Sequence, residues 1–114
     1  MNHDNAYGGF IVSKNVLAGI PIRYTYREKS DIPQLNGWTI LSERDTDEYL
    51  ADSRNFQIVS ASTIVQFAPA LIEVFDAPYG TDLFWKYEQG VLVGFYDLIA
   101  NRDTTIREIL HKKE

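Results

Sequence analysis

The sequence predicts an α+β fold: a mainly antiparallel, twisted sheet of about five or six strands with short helices packed on it and a helix at the C-terminus. Three observations carry this. Short apolar or alternating runs recur along the chain, separated by breaks rich in Gly, Pro and Asn. The helical stretches between them are too short for parallel crossovers. Two of the runs are joined by Glu88-Gln89-Gly90, a hairpin signal. At 114 residues the chain reads as one domain, 1–114, large enough to bury a core without staples.

Residues 1–7 are polar and read as a frayed end. Gly9 to Ser13 is a strand with Phe10 and Val12 on one face and Ile11 on the other, so both faces are apolar and a central position follows. Lys14 to Gly19 makes one helical turn closed by its glycine. In Ile22 to Glu28, Ile22, Tyr24 and Tyr26 point one way, and Arg23, Thr25 and Arg27 form a solvated face. Lys29 to Gly37 is a loop with Pro33 and an Asn36-Gly37 turn, after which Trp38 to Ser42 pairs back on the second strand. Thr46 caps a short helix reaching Ala51 or Asp52, with Asp47 and Glu48 in a first turn that suits the helix dipole.

Asn55 to Ser60 is the fourth strand. Ser60 or Ser62 caps a helix over Thr63 to Phe67, and Pro69 starts a second segment with Leu71, Ile72 and Phe75 as its stripe. Ala77-Pro78-Tyr79-Gly80 is a turn. Thr81 to Tyr87 and Val91 to Asp97 are apolar on both faces, which suits strands inside a sheet, under a helix or at an interface. The tail, 101–114, is a helix capped by Asn101 or Asp103. Its stripe is Ile106, Ile109 and Leu110; Glu108 and Lys112 are an i,i+4 pair, and the last turn is basic.

Composition narrows the function. An apolar content of 45% excludes a disordered chain. A net charge of −5 repels nucleic acid and attracts a basic protein partner. Without cysteine there is no disulfide, thiolate nucleophile or Cys-based zinc site, which fits a cytoplasmic protein. The start, MNHDNAYGGFIVSK, lacks a basic segment followed by a long apolar one, and no run reaches the ~18 residues of a membrane span. Neither export nor a membrane is expected.

Asp45, Asp47, Glu48 and Asp52 look like oxygen ligands. A calcium loop, however, would need a polar ligand where Tyr49 stands and a glycine where Leu50 stands. They read instead as an acidic first turn. His3 and His111 lie near opposite ends, no Gly-x-Ser-x-Gly elbow occurs, and Gly8-Gly9 precedes a strand, so no metal, cofactor or catalytic set is expected. Glu28, Glu43 and Asp97 remain as carboxylates that a hydrolase could use if the fold brought them together. Tyr24, Tyr26, Trp38, Tyr49, Tyr79, Trp85 and Tyr87 suit a core or its rim with polar tips at the surface. The alternative is a groove lined by Trp38, Trp85 and Tyr87 that takes a peptide or small ligand.

The chain has no internal repeat, but a series of short patterns stands in a definite order. They are Val12-Ser13-Lys14, Pro21-Ile22-Arg23-Tyr24, Arg27-Glu28, Gly37-Trp38, Leu41-Ser42, Asp47-Glu48-Tyr49-Leu50 with Asp52, Ile64, and Pro78-Tyr79-Gly80-Thr81 leading to Phe84. In that order, from about Gly9 to about Asp97, the chain resembles the bacterial immunity-protein-33-like family, many of whose members have no known role. The resemblance implies an α+β fold and a non-enzymatic protein that neutralises a partner toxin by stoichiometric binding, and it brings no catalytic residues. It gives the acidic cluster a purpose. Asp45, Asp47, Glu48 and Asp52, with Tyr49 as an aromatic anchor, would fill a basic cleft of the toxin. Other readings are a peptide- or small-ligand-binding module, a carboxylate-dependent hydrolase, and a homodimer formed through the C-terminal helix or the last hairpin.

Overall fold

Seven strands form one sheet: β1 (Gly9–Ser13), β2 (Ile22–Arg27), β3 (Leu35–Ser42), β4 (Phe56–Val59), β5 (Asp82–Glu88), β6 (Val91–Asp97) and β7 (Arg102–Thr104). The structure is a computed structural model that describes residues 7–111. Expectations for residues 1–6, His3 among them, and for Lys112 and the basic end of the last turn fall outside the described residues. The strand order is β4-β1-β3-β2-β5-β6-β7. Only β1 and β3 run parallel; the other five pairings are antiparallel. β1 pairs with β4 on one edge and β3 on the other, so it is an interior strand, as its two apolar faces require.

The short helices are α1 (Lys14–Leu17), α2 (Asp47–Leu50), α3 (Ala61–Phe67), α4 (Pro69–Glu73) and α5 (Ile106–His111), with a 3-10 turn at Ser53–Asn55. Thr46 caps α2 by accepting from the Tyr49 N–H at 3.1 Å. Ser60 stands at the N-cap of α3 without a side-chain cap bond. Pro69 opens α4, where its missing N–H costs nothing. Gln89 and Gly90 both take positive φ, 52° and 80°, the geometry that lets a two-residue turn join β5 to β6 without splaying them.

The core lies on one side of the sheet. Phe10, Val12, Trp38, Ile40, Leu83, Trp85 and Phe95 project from the strands and meet Ala61, Ile64, Leu71 and Val74 of the α3–α4 region and Ile109 of α5. Each of these helices is too short to persist alone, so its place in the fold comes from this packing.

Three details differ from the sequence reading. First, residues 102–104, expected as the start of the terminal helix, form a seventh strand on β6. Asn101 turns the chain with φ 58°, and the helix is capped by neither Asn101 nor Asp103. Thr105 caps it instead, accepting from the Glu108 N–H. Second, Asn36-Gly37 is not the hairpin turn but part of β3. The Asn36 side chain accepts from the Trp38 N–H and donates to the Tyr7 carbonyl. Gly37 takes φ +95° with the Glu28 carbonyl so close that a Cβ would lie 2.2 Å from it. Third, the arrangement of β2 is inverted. A register shift between Ile22 and Tyr24 inserts Arg23 as an extra residue. The alternation therefore resets, Thr25 is fully buried and Tyr24 is exposed.

Candidate functional site

The acidic segment between β3 and β4 divides into two kinds of carboxylate. Asp45 is turned inward. Its Oδ2 accepts from the Ser42 N–H at 2.7 Å, and its Oδ1 accepts from the Asn15 amide at 2.7 Å and the Ser42 hydroxyl at 2.8 Å. Partial burial pushes its carboxyl up, but the Ser42 N–H and then the Asn15, Ser13 and Ser42 side chains outweigh that and hold it below the usual range. Asp52 caps the 3-10 turn and makes a two-pronged pair with Arg54, which holds its carboxyl low. Asp47 and Glu48 are exposed in the first turn of α2, and Tyr49 is half-buried behind them. The Tyr49 carbonyl accepts from the Asn55 amide, which ties the segment to the start of β4. Two residues thus shape this surface and two present free charge.

The tryptophans of the expected aromatic groove are core residues. Trp38 is fully buried with its indole N–H donating to the Phe75 carbonyl, and Trp85 donates to the Thr25 hydroxyl at 2.9 Å. They cannot line an open groove, because the alternation that places them is the one that builds the core. Tyr87 alone borders a cleft, of about 200 Å³, together with Val16, Ile20, Pro21, Ile22 and Phe67. Its hydroxyl donates to the Ile22 carbonyl at 2.7 Å, and burial raises its pKa.

Arg23 and Arg27, expected on a solvated face, are both structural. Beyond Tyr24 the β2–β5 ladder lapses, and Arg23 Nη1 takes the Trp85 carbonyl at 2.8 Å in its place. Its other arm pairs with Glu43, and the guanidinium lies over Phe84 and Tyr87. Arg27 donates to the carbonyls of Asn36, Phe75 and Ala77 and sits over Trp38, Phe75 and Tyr79. It thereby ties β3 to the turn that follows α4 and satisfies acceptors there.

Of the three carboxylates a hydrolase would have used, Glu43 is committed to Arg23. Asp97 is buried and accepts from the Ile99 and Ala100 N–H groups as a turn cap. Glu28 lies near Asp82, a carboxylate the sequence did not single out. Burial raises the Asp82 pKa, and the charges of Asp97 and Glu28 raise it further. Among the described residues no group of three or more His, Cys, Asp or Glu side chains could hold a metal ion, and no buried side-chain nitrogen or oxygen lacks a partner.

The side of the sheet away from the helices carries a second aromatic set. Register and alternation line up Leu41, Tyr24, Phe84, Tyr96 and Asp103 across β3-β2-β5-β6-β7, beside a row of Ile58, Ile11, Thr39, Tyr26 and Asp82. None of these apolar residues belongs to the core or packs against it. Tyr24 is 38% exposed and Ile58 61%. Sequence reasoning placed Tyr24 and Tyr26 toward the core and did not single out Phe84 or Tyr96. The bulge at Arg23, which decides the matter, has no local signature.

The sequence model described as the Immunity protein Imm33 domain matches residues 10–95. The chain belongs to the Imm33 immunity-protein family. The match to Imm33 covers β1 through most of β6, and so includes the acidic segment, both arginine clamps and most of the open aromatic face. No curated protein and no solved structure is significantly similar to this Imm33 chain. No helix among its described residues is long and apolar enough to cross a membrane.

Proposed function

We propose that this chain is a non-enzymatic, cytoplasmic immunity protein that neutralises a partner toxin by binding it one to one. Membership of the Imm33 family over residues 10–95 carries this reading. The state of the polar groups supports it: Glu43 and Asp97 are tied into ion-pair and turn contacts, so they are not poised as an acid and a base. The action is occlusion. A protein that fills the toxin's working surface needs complementary shape and charge, not turnover.

The contact surface we assign is the acidic segment, in which Asp45, Asp47, Glu48, Tyr49 and Asp52 have different tasks. Asp45 and Asp52 hold the backbone through the Ser42 and Arg54 contacts. Asp47 and Glu48 supply charge to a basic partner, and Tyr49 is the anchor behind them. The net charge of −5 speeds encounter with such a partner and opposes binding to nucleic acid.

The test is capture of the chain's partner from its source cells at physiological salt, followed by titration with the double variant Asp47→Lys/Glu48→Lys. Two charge reversals at an interface should weaken binding at least about tenfold and leave the chain folded, with only the small drop in melting that two lysines against the α2 dipole bring. Full-strength binding by the double variant removes the acidic segment from the contact. Absence of any stoichiometric partner removes the toxin reading itself.

A further inference from the structure

We infer that the uncovered aromatic face of the sheet is also a docking surface for the basic partner. This rests on the toxin-binding reading above and extends its contact area. A sheet side with no helix over it ordinarily alternates to polar residues. Here Ile11, Leu41, Tyr24, Tyr26, Phe84 and Tyr96 stand on it together, half-exposed and outside the core. Tyr24 and Phe84 meet edge to face with centroids 5.3 Å apart, so the centre of the patch is a rigid platform. Tyrosines of this kind suit recognition: they offer large apolar area, few rotatable bonds and a polar tip.

Charge selects the occupant. Among the described residues the charged groups on or beside this face are Glu28, Asp82, Asp103, Lys86 and, over the Phe84 ring, Arg23; Lys86 is tied to Asp103 and Arg23 to Glu43, each at 2.8 Å. Glu28 and Asp82 therefore have no ion-pair partner among the described residues. At one end a depression of about 300 Å³ is lined by Tyr26, Arg27, Glu28, Thr81, Asp82 and Ile99, and the Arg27 guanidinium is held by the Asn36, Phe75 and Ala77 carbonyls rather than by the two carboxylates. A ring beside two carboxylates suits a lysine or arginine side chain of the partner, by stacking and by pairing. The raised Asp82 pKa fits a charge that a cation would relieve. A second copy of the chain would bring the same negative set against it, which like-charge repulsion disfavours.

Size agrees with a shared contact. Six strand spacings by five or six residues give a face of roughly 500 Å², against about 800 Å² per partner in a stable interface. The acidic segment begins directly after Ser42, the neighbour of Leu41 on the face, and can supply the remainder.

The experiment uses the full chain in its source cells with the photo-crosslinking residue benzoylphenylalanine at Tyr96, and at Glu73 on the helix side as control. The expected result is one cross-linked protein of basic sequence from position 96 and none from position 73. That protein is identified by mass spectrometry, purified and titrated against Asp82→Lys, Tyr96→Lys and Glu73→Lys. The first two should bind at least about tenfold more weakly, the third as wild type, with all three melting as folded proteins. If one face variant fails to fold, the other and the cross-link decide. A purified partner bound equally by both face variants, or cross-linked from position 73 alone, overturns the docking face and leaves the toxin-binding reading standing. A cross-link between two copies of the chain, or to an acidic protein, overturns the charge argument. No cross-link at either position, with no partner captured, overturns both.

Discussion

On the helix side of the sheet, Trp38 and Trp85 are shut off from solvent and each indole N–H has an acceptor; on the other side Tyr24, Tyr26, Phe84 and Tyr96 project from the same sheet and stay half-exposed. Both sets are aromatic and both sit on interior strands. What separates them is the cover: one side meets α3, α4 and α5, and the other meets none of them in the core. Rings alone therefore do not mark a core. The helix side stabilises the fold, and the open side can change without unfolding it.

The largest effect should fall on the helix side. Trp85→Ala empties a fully enclosed site and strands the Thr25 hydroxyl, so it should cost about 3–5 kcal/mol in chemical unfolding. Arg27→Lys is next. An ammonium cannot hold the three carbonyls of Asn36, Phe75 and Ala77 or stack as the planar guanidinium does, and a loss of roughly 2–3 kcal/mol in the urea midpoint analysis is expected.

Asp45→Asn replaces an acceptor-only group facing the Ser42 N–H, and about 1–2 kcal/mol should be lost at neutral pH. The sign with pH follows from its lowered pKa. The Asp45 contribution is complete above the ordinary value of 3.8 and disappears as pH falls through the lower folded value. Wild type should therefore lose stability in that acid range faster than the variant, which melting from pH 5 downward would show. Asp82 has the opposite sign and the smallest effect. Its raised pKa means that ionising it on going above 3.8 works against the fold. Asp82→Asn should leave the melting temperature at pH 7 unchanged or slightly higher, with the difference vanishing in acid.

Much of the fold could be read from the residues. The interior position of β1, the Thr46 cap, the Pro69 break and the β5–β6 hairpin all follow from local chemistry that tertiary context did not override. Three features could not be read, for related reasons. The bulge at Arg23 depends on how β3 pairs with β2, so simple alternation along β2 gives the wrong faces beyond Ile22. The strand at 102–104 exists because β6 offers an edge, and its own sequence is no stronger as strand than as helix. Asn36-Gly37 has turn chemistry, yet it serves a close approach to Glu28 inside β3. In the acidic segment the residue types were legible and their division of labour was not. That Asp45 bonds inward depends on Asn15, thirty positions away.

The most direct measurement is urea unfolding of Trp85→Ala beside Tyr96→Ala under one set of conditions. The account predicts a loss of about 3–5 kcal/mol for the first and at most about 1 kcal/mol for the second. Equal losses would contradict it, because the open face would then be part of what holds the sheet together.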